Sequence, residues 1–276
     1  MNIPVGIKRS PPIVLTASQD VEALYLAGTG STLVVSFSGV GTDRSIAPPP
    51  ELVGTASNDG ANHVLVLTDL KRTWYSQPQV QEEIRLAFDR AITLATPKRI
   101  AIIGNSMGAY GALLFAQEMA AETVVALGPQ FSMTDTVVRE RRWSEFRPNF
   151  GTGLAREIGA SIKNFSGTSW ILHGLMGPDF RHLERFEPDG RTHHGILPGL
   201  SHGFASELKK RGVLKPFVAA AVSRDESAAK DILAPLGVLW RRAGEKDELV
   251  QLRAARQGLI RQRAARRERR QMQRGT

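Results

Sequence analysis

The sequence predicts an α/β fold built on a mostly parallel central sheet with helices on both faces. Continuous apolar runs at 63–69, 99–104, 123–128 and 169–174 read as buried strands, and helix-forming segments separate most of them. That alternation implies parallel strands joined by right-handed crossovers. A length of 276 residues supports one domain with a sizeable core plus an appendage.

Taken in order, 13–17, 21–27 and 33–38 read as three strands of an opening β-meander. The stretch 39–60, with Pro48, Pro49 and Pro50, is a loop. A strand at 63–69 precedes a helix over 79–94, in which Val80, Ile84, Ala87, Phe88 and Ala91 share one face. The strand RIAIIG, a sharp turn, a helix to about Met119 and the strand TVVALG follow. Residues 130–165 interrupt the rhythm and form either a small cap or a long crossover with one helix. A strand at 169–174, a helix over 179–187, a strand-like 195–199 and a helix over 204–211 complete a domain spanning 1–222. Residues 223–276 form a helical, arginine-rich C-terminal extension.

Charge is uneven. The chain carries +9, of which residues 241–276 hold twelve basic and four acidic side chains, net +8, leaving 1–240 at +1. The body is therefore nearly neutral, and the tail is a candidate contact for an anionic partner or another subunit. It has no aromatic residues for stacking on bases, which disfavours nucleic acid. The chain has no cysteine, which excludes disulfides and thiolate metal sites and fits a reducing, cytoplasmic compartment. No apolar stretch reaches the roughly 18 residues of a membrane span, and no continuous apolar region follows Lys8 and Arg9.

Two Gly-x-Ser-x-Gly patterns occur, at 104–108 and 199–203. Only the first has an apolar run directly before its first glycine, the strand-to-helix context that lifts a serine hydroxyl above a sheet; the second is preceded by Pro198. Ser106 is accordingly the candidate nucleophile and Ser201 a bystander. Serine needs a base to take its proton and a third group to orient that base. His202, in a polar turn before a helix, is the candidate base. Asp179, in the turn after the 169–174 strand, either orients His202 or caps the following helix, and Glu184 is its alternative. The adjacent His193 and His194 would face opposite ways in a strand, so at most one reaches the site. His173 reads as a core residue, His63 and His182 have no assigned role, and no metal site is expected.

The N–H groups of Val40 and Met107 are the candidate oxyanion donors, with Gly39 allowing close approach of the backbone. Trp74 and Tyr75 either line a substrate pocket, with Arg72 on an anionic group, or pack their loop against the body.

The stretch GNSMGAYGALLFA resembles the GxSMGGYGA elbow of the esterase D, feruloyl esterase and mycolyltransferase branch of the α/β-hydrolase superfamily, over about residues 13–215. Ala109 replaces a glycine of that pattern, and Ser38-Gly39-Val40 replaces its His-Gly pair at the oxyanion loop. The resemblance implies a serine hydrolase or acyltransferase acting on a small-molecule ester through an acyl-enzyme, without metal or organic cofactor. A different class of reading is a non-catalytic protein of this fold that works through its basic tail.

Overall fold

The computed structural model describes residues 11–151, 158–244 and 247–272, without the side chains of 247 and 269–272. Lys8 and Arg9, part of the 130–165 segment and the last arginines of the tail lie outside the described residues.

Nine strands form one sheet: β1 (Ile13–Ala17), β2 (Val21–Leu26), β3 (Thr32–Phe37), β4 (His63–Asp69), β5 (Arg99–Asn105), β6 (Thr123–Leu127), β7 (Thr168–Gly174), β8 (Thr192–Leu197) and β9 (Leu239–Arg241). Their order is β1-β2-β4-β3-β5-β6-β7-β8-β9. The run from β4 to β8 is parallel, while β1, β2 and β9 pair antiparallel.

The opening strands are not a meander, because β4 inserts between β2 and β3. The reason lies in the burial of β3. Every residue of TLVVSF is buried, so this strand needs a covered sheet on both faces and a hydrogen-bonded neighbour on both edges. β2 alternates buried and half-buried residues, the pattern of an antiparallel strand near an edge.

Helix α1 (Val53–Ser57) follows β3. Helices α2 (Pro78–Ala95), α3 (Met107–Phe115) and α4 (Gly159–Asn164) cover one face of the sheet. Proline at the first position of α2 has no N–H to leave unsatisfied, and Val80, Ile84, Ala87 and Ala91 bury the expected stripe. After the four-residue α5 (Phe180–Leu183), helices α6 (Phe204–Lys210), α7 (Leu214–Val222) and α8 (Glu226–Leu233) cover the other face together with α1.

The chain beyond 222 does not stand apart from the body. α8 packs on α7, β9 is the edge strand beside β8, and Leu252 of α9 (Asp247–Met272) closes a third apolar cluster with Leu175, Phe180, Leu183 and Ile196. Burying a leucine of this kind contributes about 1.5–3 kcal/mol, enough to hold a largely exposed helix in place. Among the described residues, no helix is long and apolar enough to cross a membrane.

Candidate active site

Ser106 sits between β5 and α3 with φ 55° and ψ −118°, a conformation that costs a non-glycine residue free energy. The turn closes only because its flanking residues lack side chains. A Cβ on Gly104 would lie 2.1 Å from the Gly108 carbonyl oxygen, and one on Gly108 would lie 2.0 Å from that of Phe37. The N–H of Ser106 continues the sheet by donating to Leu127 O at 2.8 Å, which fixes the turn against β6.

His202 and Asp179 arrive from the loops after β8 and β7. His202 Nε2 is 2.8 Å from Ser106 Oγ, and its Nδ1 is 2.7 Å from Asp179 Oδ2. An ionised carboxylate only accepts, so Nδ1 carries the proton and Nε2 is free to accept that of Ser106. Asp179 occupies the cap position of α5, yet its side chain makes no capping hydrogen bond there; the carboxylate turns to His202 instead. Burial pushes the Asp179 pKa up, but the hydrogen bond and charge of His202 and the charge of Arg142 outweigh it and hold the value at about 2, against an ordinary 3.8.

The 130–165 segment supplies side chains to this site that no local motif announces. Arg142 Nη1 lies 2.8 Å from Asp179 Oδ1, and its Nη2 lies 2.5 Å from Glu140 Oε2. Glu140 is bonded in turn to His182 Nε2 at 3.1 Å. Burial works against its charge, but the bonds from His182 and Arg142 prevail and hold this carboxyl well below the usual range. The Trp143 ring lies 6.2 Å from that of His202, and its buried Nε1 has no partner among the described residues.

Gln130 completes the surroundings of the serine. Trp74 Nε1 donates to its Oε1 at 3.0 Å, and since an indole N–H only donates, the amide nitrogen must face Ser106 Oγ, 3.4 Å away.

The expected oxyanion loop lies beside the elbow. Met107 is the first residue of α3, so its N–H has no acceptor within the helix. A Cβ on Gly39 would lie 2.9 Å from Asn105 O, so this glycine lets the loop meet the Ser106 turn; its own N–H donates to Glu51 Oε2 at 3.2 Å. The carbonyl of Val40 accepts from Arg72 Nε at 3.0 Å, which fixes the orientation of the loop.

Trp74 and Tyr75 do not line an open pocket. Both are fully buried, and Tyr75 OH donates to Ser38 O at 2.6 Å. Arg72, proposed for an anionic group, is likewise buried and spends its guanidinium on the carbonyls of Val40, Asp43 and Ile46. The physical reason is the backbone. Arg72, Trp74 and Tyr75 all adopt left-handed φ values of 55–56°, which turn their side chains inward beneath the oxyanion loop. Asp69 stabilises that bend, its Oδ2 accepting from Thr73 N, Thr73 Oγ and Tyr75 N at 2.7–2.9 Å.

The remaining histidines are elsewhere. His193 pairs with Glu226 at 3.1 Å, and His63 with Tyr25 and Gly28. His173 and His194 form a buried row with Arg241 beneath the site. Arg241 Nη1 donates to His194 Nδ1 at 3.1 Å, His194 Nε2 to His173 Nδ1 at 2.9 Å, and His173 Nε2 to Pro129 O at 2.9 Å. Burial keeps His173 neutral, with its pKa lowered to about 4. Glu184 pairs with Arg253 at 2.8 Å rather than with His202, and Ser201 is exposed. Among the described residues, no three His, Asp or Glu side chains converge as a metal ion would require.

A sharp Ser106 turn after the fifth strand, with His202 and Asp179 on later loops of a doubly covered, mostly parallel sheet, defines the α/β-hydrolase fold. No protein-family model and no curated protein matches the chain by sequence. Solved structures do match in shape. Est1E from Butyrivibrio proteoclasticus superposes with a TM-score of 0.52 at 12% identity, over 78% of this chain and 100% of that one. The capsule O-acetyltransferase of Neisseria meningitidis serogroup A gives 0.53 at 14% identity, over 74% and 92%. The S-formylglutathione hydrolase of Staphylococcus aureus gives 0.50 at 12% identity, over 80% and 100%. At these identities the likeness concerns the fold.

Proposed function

We propose that this chain is a serine hydrolase that cleaves a carboxylic ester of a small alcohol, such as an acylated saccharide, through an acyl-enzyme. Ser106 Oγ attacks the ester carbonyl carbon while its proton passes to His202 Nε2. Asp179 holds the imidazole in the required tautomer and offsets the charge that it gains. The N–H groups of Val40 and Met107 receive the oxyanion. Collapse of the intermediate expels the alcohol, which takes the proton from His202. Water activated by the same histidine then releases the acid.

The observation that carries the reading is the unbroken hydrogen-bond path from Asp179 through His202 to Ser106, at 2.7 and 2.8 Å. The test is hydrolysis of a short-chain nitrophenyl ester with labelling by a fluorophosphonate probe. Ser106→Ala is expected to lose at least ~10³-fold in kcat and all labelling. Full activity in that variant, or labelling of another residue alone, overturns the mechanism.

A further inference from the structure

A cavity of about 390 Å³ opens between residues 138–142, the 177–182 stretch after β7, and Arg256 of α9. Arg139, Arg141, Arg142, Arg181 and Arg256 line it, with Glu140 the one acidic residue of the lining, and Arg181 Nη1 donates to Arg139 O at 3.4 Å. Arg142 and His182 already engage Glu140. Arg139, Arg141 and Arg181 are exposed and have no carboxylate within ion-pair distance among the described residues. Arg256 stacks over Phe180 at 5.0 Å and gives one N–H to Gly177 O at 3.3 Å, while its buried Nε has no partner.

Several guanidinium groups converging on one concavity repel one another, and a multiply charged anion relieves that repulsion while satisfying their forked donors. A phosphate-type group presents several acceptor oxygens around a compact charge, so neighbouring forks can share it. The cavity volume is at the small end of ligand pockets, matching a pyrophosphate or a small phosphate ester. We propose that this arginine-lined cavity binds a phosphate-type polyanion and that Arg142, which belongs both to its wall and to the Asp179 ion pair, couples occupancy to the triad. An anion in the cavity competes with Asp179 for Arg142. By linkage, the protonation and position of Asp179 and His202 then respond to the anion, and the reverse.

Binding is read without turnover, so the site stands or falls independently of the ester-cleaving reading. Calorimetric titration of the full chain with pyrophosphate at low salt should show one site. Arg139→Gln combined with Arg181→Gln should weaken it at least tenfold, with an unchanged far-ultraviolet spectrum and melting profile because both side chains are exposed. Arg85→Gln combined with Arg90→Gln, a charge-matched control on α2, should leave it unchanged. Absent binding, binding indifferent to the double substitution, or equal loss in the Arg85 control overturns the site. Hydrolysis of a neutral nitrophenyl ester then identifies the source of the anion. A rise in KM alone marks a subsite for a phosphate on the substrate, and a changed kcat marks a separate effector. Identical kinetics with the cavity saturated overturns the coupling through Arg142.

Discussion

The guanidinium of Arg142 and the imidazole of His202 take opposite oxygens of the Asp179 carboxylate, at 2.8 and 2.7 Å. The carboxylate is thereby held from two sides. One hold comes from the loop after β8 and the other from the 130–165 segment, so that segment is part of what orients the proposed base.

Replacing Arg142 tests that arrangement. Lysine keeps the charge but loses the planar fork, so it cannot serve Glu140 and Asp179 together. Arg142→Lys should lower kcat about tenfold, the uncertainty of base orientation being felt at the serine, with KM less affected. Arg142→Ala takes the charged partner from two buried carboxylates, leaving Asp179 with His202 and Glu140 with His182, and should cost about 3 kcal/mol in urea unfolding.

Asp179→Asn should lower kcat by about 10⁴-fold, because an amide can stabilise the wrong imidazole tautomer. It should also change stability at acid pH. The folded value of about 2 lies below the ordinary 3.8, so the carboxylate contributes stability above about pH 4 that is lost as pH falls through 2. The shift corresponds to about 2 kcal/mol. Urea midpoints between pH 2 and 5 should fall more steeply for the parent chain than for Asp179→Asn.

Asp69 has the opposite sign. Burial raises its carboxyl to about 6, above the ordinary 3.8, so its contribution is full below about pH 4 and is lost as pH rises through 6. That is roughly 3 kcal/mol of pH-dependent stability. Asp69→Asn keeps an acceptor for the Thr73 and Tyr75 donors, so unfolding free energies measured from pH 4 to 7 should lose this slope. Asp69→Ala removes the acceptor that holds the left-handed bend and should lower both stability and ester turnover.

Removing α9 should impair the site. Its Leu252 covers Leu175, Phe180 and Leu183, Arg256 donates to Gly177 O, and Arg263 donates to Gly199 O. Those contacts brace the two loops that bear Asp179 and His202. The esterase reading of the sequence, with the tail as an appendage, expects hydrolysis to survive removal of residues 241–276. The packing predicts instead that a chain ending at residue 246 loses at least tenfold in kcat and melts earlier, which turnover assays and thermal unfolding will decide.

Ser106, Asp179 and His202 could be read from the sequence because each carries a local signal: a glycine-framed turn, and polar loops following buried strands in a fixed chain order. Arg142, Glu140 and Gln130 carry none. Their partners Asp179, His182, Ser106 and Trp74 lie 24 to 56 positions away, and arginine or glutamine in a polar stretch reads as solvated surface. Trp74 and Tyr75 follow β4 and read as residues of the rim, but nothing in TWY signals the left-handed backbone that buries these bulky residues. Strand order was equally hidden, since apolar periodicity identifies β3 as buried without saying that β4 lies beside it. β9 escaped because three residues, LWR, are too few for any period.

The support that α9 gives to Gly177 and Gly199 also bears on how the protein comes into being. Synthesis delivers all nine strands before that helix emerges, so the sheet can assemble around an elbow whose partner loops still lack their brace. A nascent chain would acquire its architecture first and its competence afterwards.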